Sequence, residues 1–106
     1  MTTLRKNLIA RVAELGVEDV PLAGRSDGFS SLFYRGKDFA HFHNDNELDL
    51  RLTKAVIRRE GLTHPDKSIR HPKRSRTSNW IELRFHSEAD LDPIVRLIGL
   101  AIQDLR

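Results

Sequence analysis

The fold is decided by residues 39–52, which read FAHFHNDNELDLRL. This stretch predicts two β-strands joined by a tight turn, because an apolar run leads into Asn and Asp residues and then into leucines that alternate with charged residues. Strand side chains alternate between the two faces of a sheet, so His41 and His43 share one face and Phe42 lies on the other. Two neighbouring imidazoles can share a metal ion, an anion or a proton.

The same alternation places carboxylates beside the histidines. If the turn is symmetric about Asp45, His41 pairs with Asp49 across the hairpin and His43 pairs with Glu47. Imidazole and carboxylate together suit zinc, nickel or iron, and a carboxylate can also orient an imidazole through its second nitrogen. The alternative is an ordinary polar sheet face, exposed to solvent, on which such cross-strand pairs contribute little.

Toward the N-terminus, helical spacing of apolar residues predicts a helix from Leu4 to Leu15. The segment Asp19 to Asp27 contains Pro and Gly and predicts a connector, with a short edge strand around Val20 to Leu22. A further strand is predicted from Ser30 to Arg35, and the glycine-containing link Gly36 to Asp38 suits a hairpin into the central stretch.

Toward the C-terminus, the sequence predicts a short helix from Lys54 to Glu60, a long exposed loop from Leu62 to Ser78 and a strand from Asn79 to Phe85. Residues 87–90 resemble a capping box, with Asp in place of the usual Glu. The regular part of the final helix is expected to begin with Asp92 as its cap, because a proline follows directly.

Together these elements predict an α+β fold: an antiparallel β-meander of about four strands with the N- and C-terminal helices packed on one face. The 106 residues suit a single domain, residues 1–106. The absence of cysteine excludes disulfides, thiol nucleophiles and thiolate zinc sites. No apolar run approaches the ~20 residues that cross a bilayer, and the N-terminus lacks the apolar core of a secretory signal. We therefore expect a cytoplasmic protein with no membrane partner.

Positive charge is concentrated in the predicted loop. The chain has a net charge of +3, and residues 67–76 hold five candidate anion ligands: Lys67, Arg70, Lys73, Arg74 and Arg76. Such side chains can hold phosphates through charge-assisted hydrogen bonds. Nucleic-acid readers usually add aromatic platforms, and this segment contains none. The segment therefore predicts either an interaction surface for nucleic acid or protein, or a solvated loop that serves solubility.

Two further residues can complete a site with the histidine pair. His64 follows the short helix, and Trp80 begins the last strand, directly after the loop. An indole there can form the floor of a ligand pocket, or it can cover one end of the core. The candidate ligand-binding residues are thus His41, His43, Asp49, His64 and Trp80, and the candidate metal ligands are His41, His43 and His64.

Six short motifs occur in order along the chain: His41-Phe-His43, Leu48-Asp49-Leu50, Gly61, His64, Asn79-Trp80-Ile81 and Ser87-Glu88-Ala89-Asp90. With these motifs the chain resembles, from Phe29 to Leu100, a small bacterial domain family that carries the label "luciferase domain". The label does not imply light emission, and the resemblance points to the same His, Asp and Trp residues as the candidate site. Relative to the family pattern, in which the link before the Trp-led strand is shorter, the segment Lys67 to Arg76 is an insertion.

The leading functional prediction is a small domain whose polar His/Asp site binds a divalent metal ion or a small anionic ligand. One alternative is a nucleic-acid or protein interaction module that uses residues 67–76. Another is a small hydrolase or isomerase with a histidine general base. A sheet edge that a second copy could cover also allows a homodimer. The sequence leaves open whether the protein is an enzyme, and it names no substrate.

Overall fold

A computed structural model describes residues 2–25, 27–64 and 78–106 of the chain. Within these ranges five strands form one antiparallel sheet, and every strand pairs with its neighbour in sequence. The α+β meander is confirmed, with five strands instead of about four, because the edge segment forms a full strand. In chain order the elements are α1 (Thr3–Ala13), β1 (Val17–Pro21), β2 (Ser30–Tyr34), β3 (Lys37–Asn44), β4 (Glu47–Arg51), α2 (Lys54–Arg59), β5 (Trp80–Arg84), a 3-10 turn (Glu88–Asp90) and α3 (Leu91–Gln103).

One hydrophobic core lies between a single face of the sheet and the two long helices, which also pack against each other. Helix α1 contributes Leu8 and Val12 to this core. Leu8 follows Arg5 by three residues and Val12 follows Leu8 by four, so the three side chains lie on one helical stripe. The leucines of β4 point into this core, as the alternation predicts. Burying each leucine-sized side chain stabilises the fold by about 1.5–3 kcal/mol. The fully buried members outside α1 include Leu32, Phe42, Leu48, Leu50, Ile81, Phe85, Leu91 and Ile98.

The first hairpin is tighter than predicted. Its turn consists of Arg35 and Gly36, whose φ angles are 51° and 79°, and β3 already begins at Lys37. Two consecutive residues with positive φ are typical of the two-residue turns that match the twist of a hairpin. The predicted three-residue link Gly36 to Asp38 is therefore wrong, and Asp38 belongs to β3. A register shift between β2 and β3 leaves Phe39 without a cross-strand partner, and its side chain is buried.

The second hairpin confirms one predicted pair and corrects the other. His41 lies opposite Asp49, as the symmetric turn requires. The register then shifts, so that Asn44 lies opposite Glu47 and the predicted pair of His43 with Glu47 does not form. The Asn44 side chain accepts a hydrogen bond from the backbone N–H of Asn46 at 2.8 Å, which closes a two-residue turn instead of a three-residue one.

The final helix begins earlier than predicted. Helix α3 starts at Leu91, directly after the 3-10 turn, so Asp92 lies inside the helix and is not its cap. Pro93 occupies the first turn, where its missing N–H removes no intrahelical hydrogen bond. Although α3 is strongly apolar, none of the helices in the described part of the chain is long and apolar enough to cross a membrane.

Candidate functional site

His41 is held between two aromatic rings on the sheet face opposite the core. Its ring centroid lies 5.5 Å from that of Phe29 and 5.2 Å from that of Trp80, with interplanar angles of 25° and 12°. His43 also contacts Phe29, at 5.9 Å with a tilt of 54°. Both imidazoles therefore meet the same aromatic ring, as their two-residue spacing predicts. Phe29 lies just before β2, in a Gly- and Ser-containing segment, and no sequence pattern predicted a role for it.

The polar partner of His41 is a residue that the sequence reasoning missed. His41 Nε2 lies 3.0 Å from Asp38 Oδ1 and 3.2 Å from Oδ2. An ionised carboxylate can only accept, so the proton of a neutral His41 ring resides on Nε2, which donates to Asp38, and Nδ1 is an acceptor. In the protonated ring Nδ1 becomes a donor as well. Alternation places residues 38 and 41 on opposite faces, and only the register shift near Phe39 allows them to meet.

A row of carboxylates crosses the sheet beside His41. Asp49 lies opposite His41, and Glu82 of β5 lies opposite Asp49. The prediction of a solvent-exposed face is wrong here, because Asp49 is only 4% exposed and Glu82 only 2%. Buried carboxylates are costly unless they are paired, and Arg84 Nη2 lies 3.2 Å from Glu82 Oε2. His41 itself keeps 25% of its side chain exposed, so a small molecule can still reach it.

The remaining predicted residues are not brought into one centre by the described structure. His64 is half-buried, and its Nδ1 has no hydrogen-bond partner among the described residues. Within residues 2–25, 27–64 and 78–106, no three His, Cys, Asp or Glu side chains form a group that could hold a metal ion. The three-histidine metal set is therefore not assembled there. The five candidate anion ligands, Lys67, Arg70, Lys73, Arg74 and Arg76, lie outside the described residues.

A second polar cluster, also missed in the sequence, surrounds a cavity of about 470 Å³ next to α1. Arg5 is only 2% exposed, and its Nη2 donates to Ser30 Oγ at 2.8 Å. Ser30 Oγ donates in turn to Asp19 Oδ1 at 2.5 Å, and Arg5 Nη1 donates to Asp45 Oδ1 at 3.2 Å. The Arg5 guanidinium carbon lies 4.4 Å above the ring of Phe42. Arg5 was assigned no role from the sequence; the signal that could have found it is its spacing of three and seven residues from Leu8 and Val12, which places it on the inner stripe of α1.

Phe29 links this cavity to the His41 site. It lines the cavity, and the Arg25 guanidinium carbon lies 4.3 Å from its ring centroid. Arg25 also forms an ion pair with Asp27, and this hydrogen-bonded pairing lowers the pKa of Asp27 to about 2. Arg25, Phe29, His41 and Trp80 thus form a continuous stack from the cavity wall to the far edge of the sheet.

The fold and this site define a small α+β domain with a histidine held in an aromatic stack on one sheet face. The chain belongs to the luciferase domain family, whose model matches residues 36–101, more than half of its length. Neither a curated protein nor a solved structure matches the chain. The matched region contains His41, Asp49 and Trp80, whereas Arg5 and Phe29 precede it.

Proposed function

We propose that this chain is a small-ligand-binding domain and that the site around His41 takes a small anion. The observation that supports this most directly is the fixed position of His41, between the rings of Phe29 and Trp80 and with Asp38 on Nε2. Ring faces that are already covered leave the edge of the imidazole for a ligand. A side chain that is positioned in advance loses little rotational freedom when a ligand binds.

The proton on His41 decides which ligand fits. Because Nε2 donates to Asp38, the ligand is left with Nδ1, which donates only when the ring is protonated. An anion that accepts from this Nδ1–H forms a charge-assisted hydrogen bond, which is about twice as strong as a neutral one. The anion is therefore a ligand of the protonated imidazole ring. The buried carboxylates Asp49 and Glu82 set an upper limit on the negative charge that the site tolerates, and this favours a monoanion.

Trp80 provides the readout, since it is the only tryptophan in the chain and stacks on His41. Acetate and inorganic phosphate are the probes, titrated while Trp80 fluorescence is recorded. We expect saturable acetate binding that is lost in His41→Gln. The control is His86→Gln, because His86 is exposed and lies outside the stack. Acetate binding that His41→Gln leaves intact would refute the proposal.

A second candidate, a small hydrolase or isomerase, is favoured by the same pair of Asp38 and His41. A carboxylate that holds a neutral imidazole in one tautomer leaves the other nitrogen free to act as a general base. The test is the rate at which diethyl pyrocarbonate modifies His41, followed by peptide mass spectrometry. A catalytic base should react faster than exposed His86, and Asp38→Asn should slow it to the His86 rate. Equal rates in the native protein would count against catalysis by His41.

The other predictions carry less support from the described residues. A divalent metal would have to use His41 and His43 with ligands beyond them, since no three-ligand group occurs in the described ranges. Nucleic-acid or protein binding through residues 67–76, a homodimer and a bacterial cytoplasmic location stay predictions. Zinc titration of the native protein and of the His41→Gln variant would test metal binding. Salt-dependent binding of DNA or RNA would test nucleic-acid binding through residues 67–76.

A further inference from the structure

The cavity next to α1 is separate from the edge of His41 that the proposed function uses. It lies where α1, the connection from β1 to β2 and the turn between β3 and β4 meet. Its volume of about 470 Å³ falls within the range of small-molecule sites, roughly 300–1,000 Å³. Most of its lining lies N-terminal to the region that the family model matches. The charged residues of its wall are Arg5, Asp19, Arg25, Asp27 and Asp45.

The hydrogen bonds of the wall leave both donors and acceptors for a ligand. Arg25 and Asp27 satisfy each other as an ion pair. Asp19 and Asp45 each use one carboxylate oxygen, toward Ser30 and Arg5 respectively, and their second oxygens have no partner in the described part of the chain. Arg5 Nε, which is buried, likewise lacks an acceptor among the described side chains and backbone. Asp19 and Asp45 are only half-buried, whereas a buried N–H group such as Arg5 Nε is costly unless a further partner satisfies it.

We propose that this cavity binds a small zwitterion of the α-amino acid class. The ammonium group donates to the free oxygens of Asp19 and Asp45, which are close together because both belong to the network around Arg5 and Ser30. The ligand carboxylate accepts from Arg5. An ammonium group carries three donors, which suits two carboxylates better than a single hydroxyl does.

Ligands of one charge sign fit less well. A simple anion meets more carboxylates than guanidinium groups on the wall. A metal ion is disfavoured because the described residues hold no three-ligand group and because Arg5 lies between the two carboxylates. The apolar part of the wall, Phe29 and Pro21, can take an aliphatic side chain. Arg5 is already fixed by Ser30 and the Phe42 ring, so binding does not have to order it.

Three matched probes test this assignment: L-leucine, 3-methylbutylamine and 4-methylpentanoate. The second lacks only the carboxylate of leucine, and the third lacks only its ammonium group. Binding is followed by backbone and arginine side-chain NMR shifts, with Arg5 Nε–H and the Ser30 amide as reporters. We expect L-leucine to bind about tenfold more tightly, or better, than either fragment, since each fragment loses a charge-assisted pair. A fragment that binds as tightly as leucine, or an absence of leucine binding, overturns the proposal.

Variants separate this cavity from the His41 site. Asp19→Asn and Asp45→Asn should each weaken leucine binding about tenfold, because an amide keeps the shape and removes the charge. Asp92→Asn is the control, since Asp92 forms an exposed ion pair with Arg11 and does not line the cavity. His41→Gln should bind leucine as the native protein does, while losing acetate. If Asp19→Asn and Asp45→Asn bind leucine unchanged, the carboxylates are not its ligands and the proposal fails.

Discussion

The rings of His41 and Trp80 stack at 5.2 Å and within 12° of parallel, although they belong to β3 and β5 and β4 lies between those strands. Trp80 therefore reaches across a strand to cover the histidine. Phe29 covers the opposite ring face from the segment before β2. The stack thus joins distant parts of the chain on the sheet face opposite the core, and it places the single indole of the sequence directly against the imidazole.

His41→Ala should destabilise the protein by about 1–3 kcal/mol, because it removes two ring contacts that contribute ~0.5–1.5 kcal/mol each. It should also shift the emission of Trp80 toward that of an exposed indole, since one face of the ring loses its cover. Urea unfolding and fluorescence spectra measure both effects. The matched control is His86→Ala at an exposed position, expected to stay within about 0.5 kcal/mol. Equal effects of the two substitutions would show that the stack adds nothing to stability.

Arg5→Met should lower the free energy of unfolding by about 2–4 kcal/mol, because it leaves the buried Ser30 without a donor and the part-exposed Asp45 without its cation. Methionine keeps most of the length and apolar area of the arginine stem, so the loss reports the polar network. Arg11→Met on the same helix is the control. Its ion pair with Asp92 is exposed on both sides and should contribute less than about 1 kcal/mol. Thermal or urea unfolding measures the stability of both variants. Similar losses of stability in the two would contradict a structural role for the Arg5 network.

The sequence predicted the parts of this molecule that depend on periodicity. The leucines of β4 face the core, and Asp49 faces His41 across the hairpin, because both follow from alternation and from an antiparallel turn. Contacts that depend on irregular backbone were missed. Asp38 meets His41 only because the register shifts beside it, and Phe29 reaches the same histidine from a loop whose path no pattern specifies.

Arg5 shows a different limit of the sequence pattern. The helical spacing places Arg5 on the inner stripe of α1. A charged residue at such a position can either extend its stem so that the guanidinium reaches solvent, or bury the guanidinium, which then needs hydrogen-bond partners. The partners that decide the second outcome are Ser30, Asp19 and Asp45, which come from three separate segments. Only the assembled fold brings them together.

Thr53 is strained, and two substitutions there should have opposite signs. Its φ is 78° and its ψ 145°, a backbone region that β-branched residues rarely adopt. The conformation is held by Asn79, whose carbonyl accepts from Thr53 N–H at 3.1 Å and whose side chain accepts from Lys54 N–H at 2.9 Å. Thr53→Gly relieves a strain of order 1–3 kcal/mol. The loss of the side-chain cap of α2 costs only a few tenths of a kcal/mol with glycine, so the substitution should stabilise the protein.

Thr53→Ala is the comparison, because alanine keeps the unfavourable φ and removes the hydroxyl that accepts from Val56 N–H. It should destabilise the protein by about 1 kcal/mol. Urea unfolding of the two variants gives the order of stability directly. Should Thr53→Ala prove more stable than Thr53→Gly, the positive φ is not a source of strain.

Asp90 should make stability depend on pH in the acid range. One carboxylate oxygen accepts from the backbone N–H groups of His86 at 2.8 Å and Ser87 at 3.2 Å, and these hydrogen bonds lower the pKa of Asp90. A pKa that is lower in the folded state than in the unfolded state means that the ionised group stabilises the fold above its ordinary pKa. This contribution is lost as pH falls through the lowered folded-state value.

Asp90→Asn keeps an acceptor for these N–H groups and removes the charge, so it isolates the ionised part of the effect. The variant should be less stable than the native protein at about pH 7, and the two free energies of unfolding should converge once Asp90 is protonated in both states. Urea unfolding across the acid range measures the difference at each pH. If the difference in unfolding free energy between the two proteins is independent of pH, the lower stability of the variant comes from the geometry of the turn before α3 and not from the charge of Asp90.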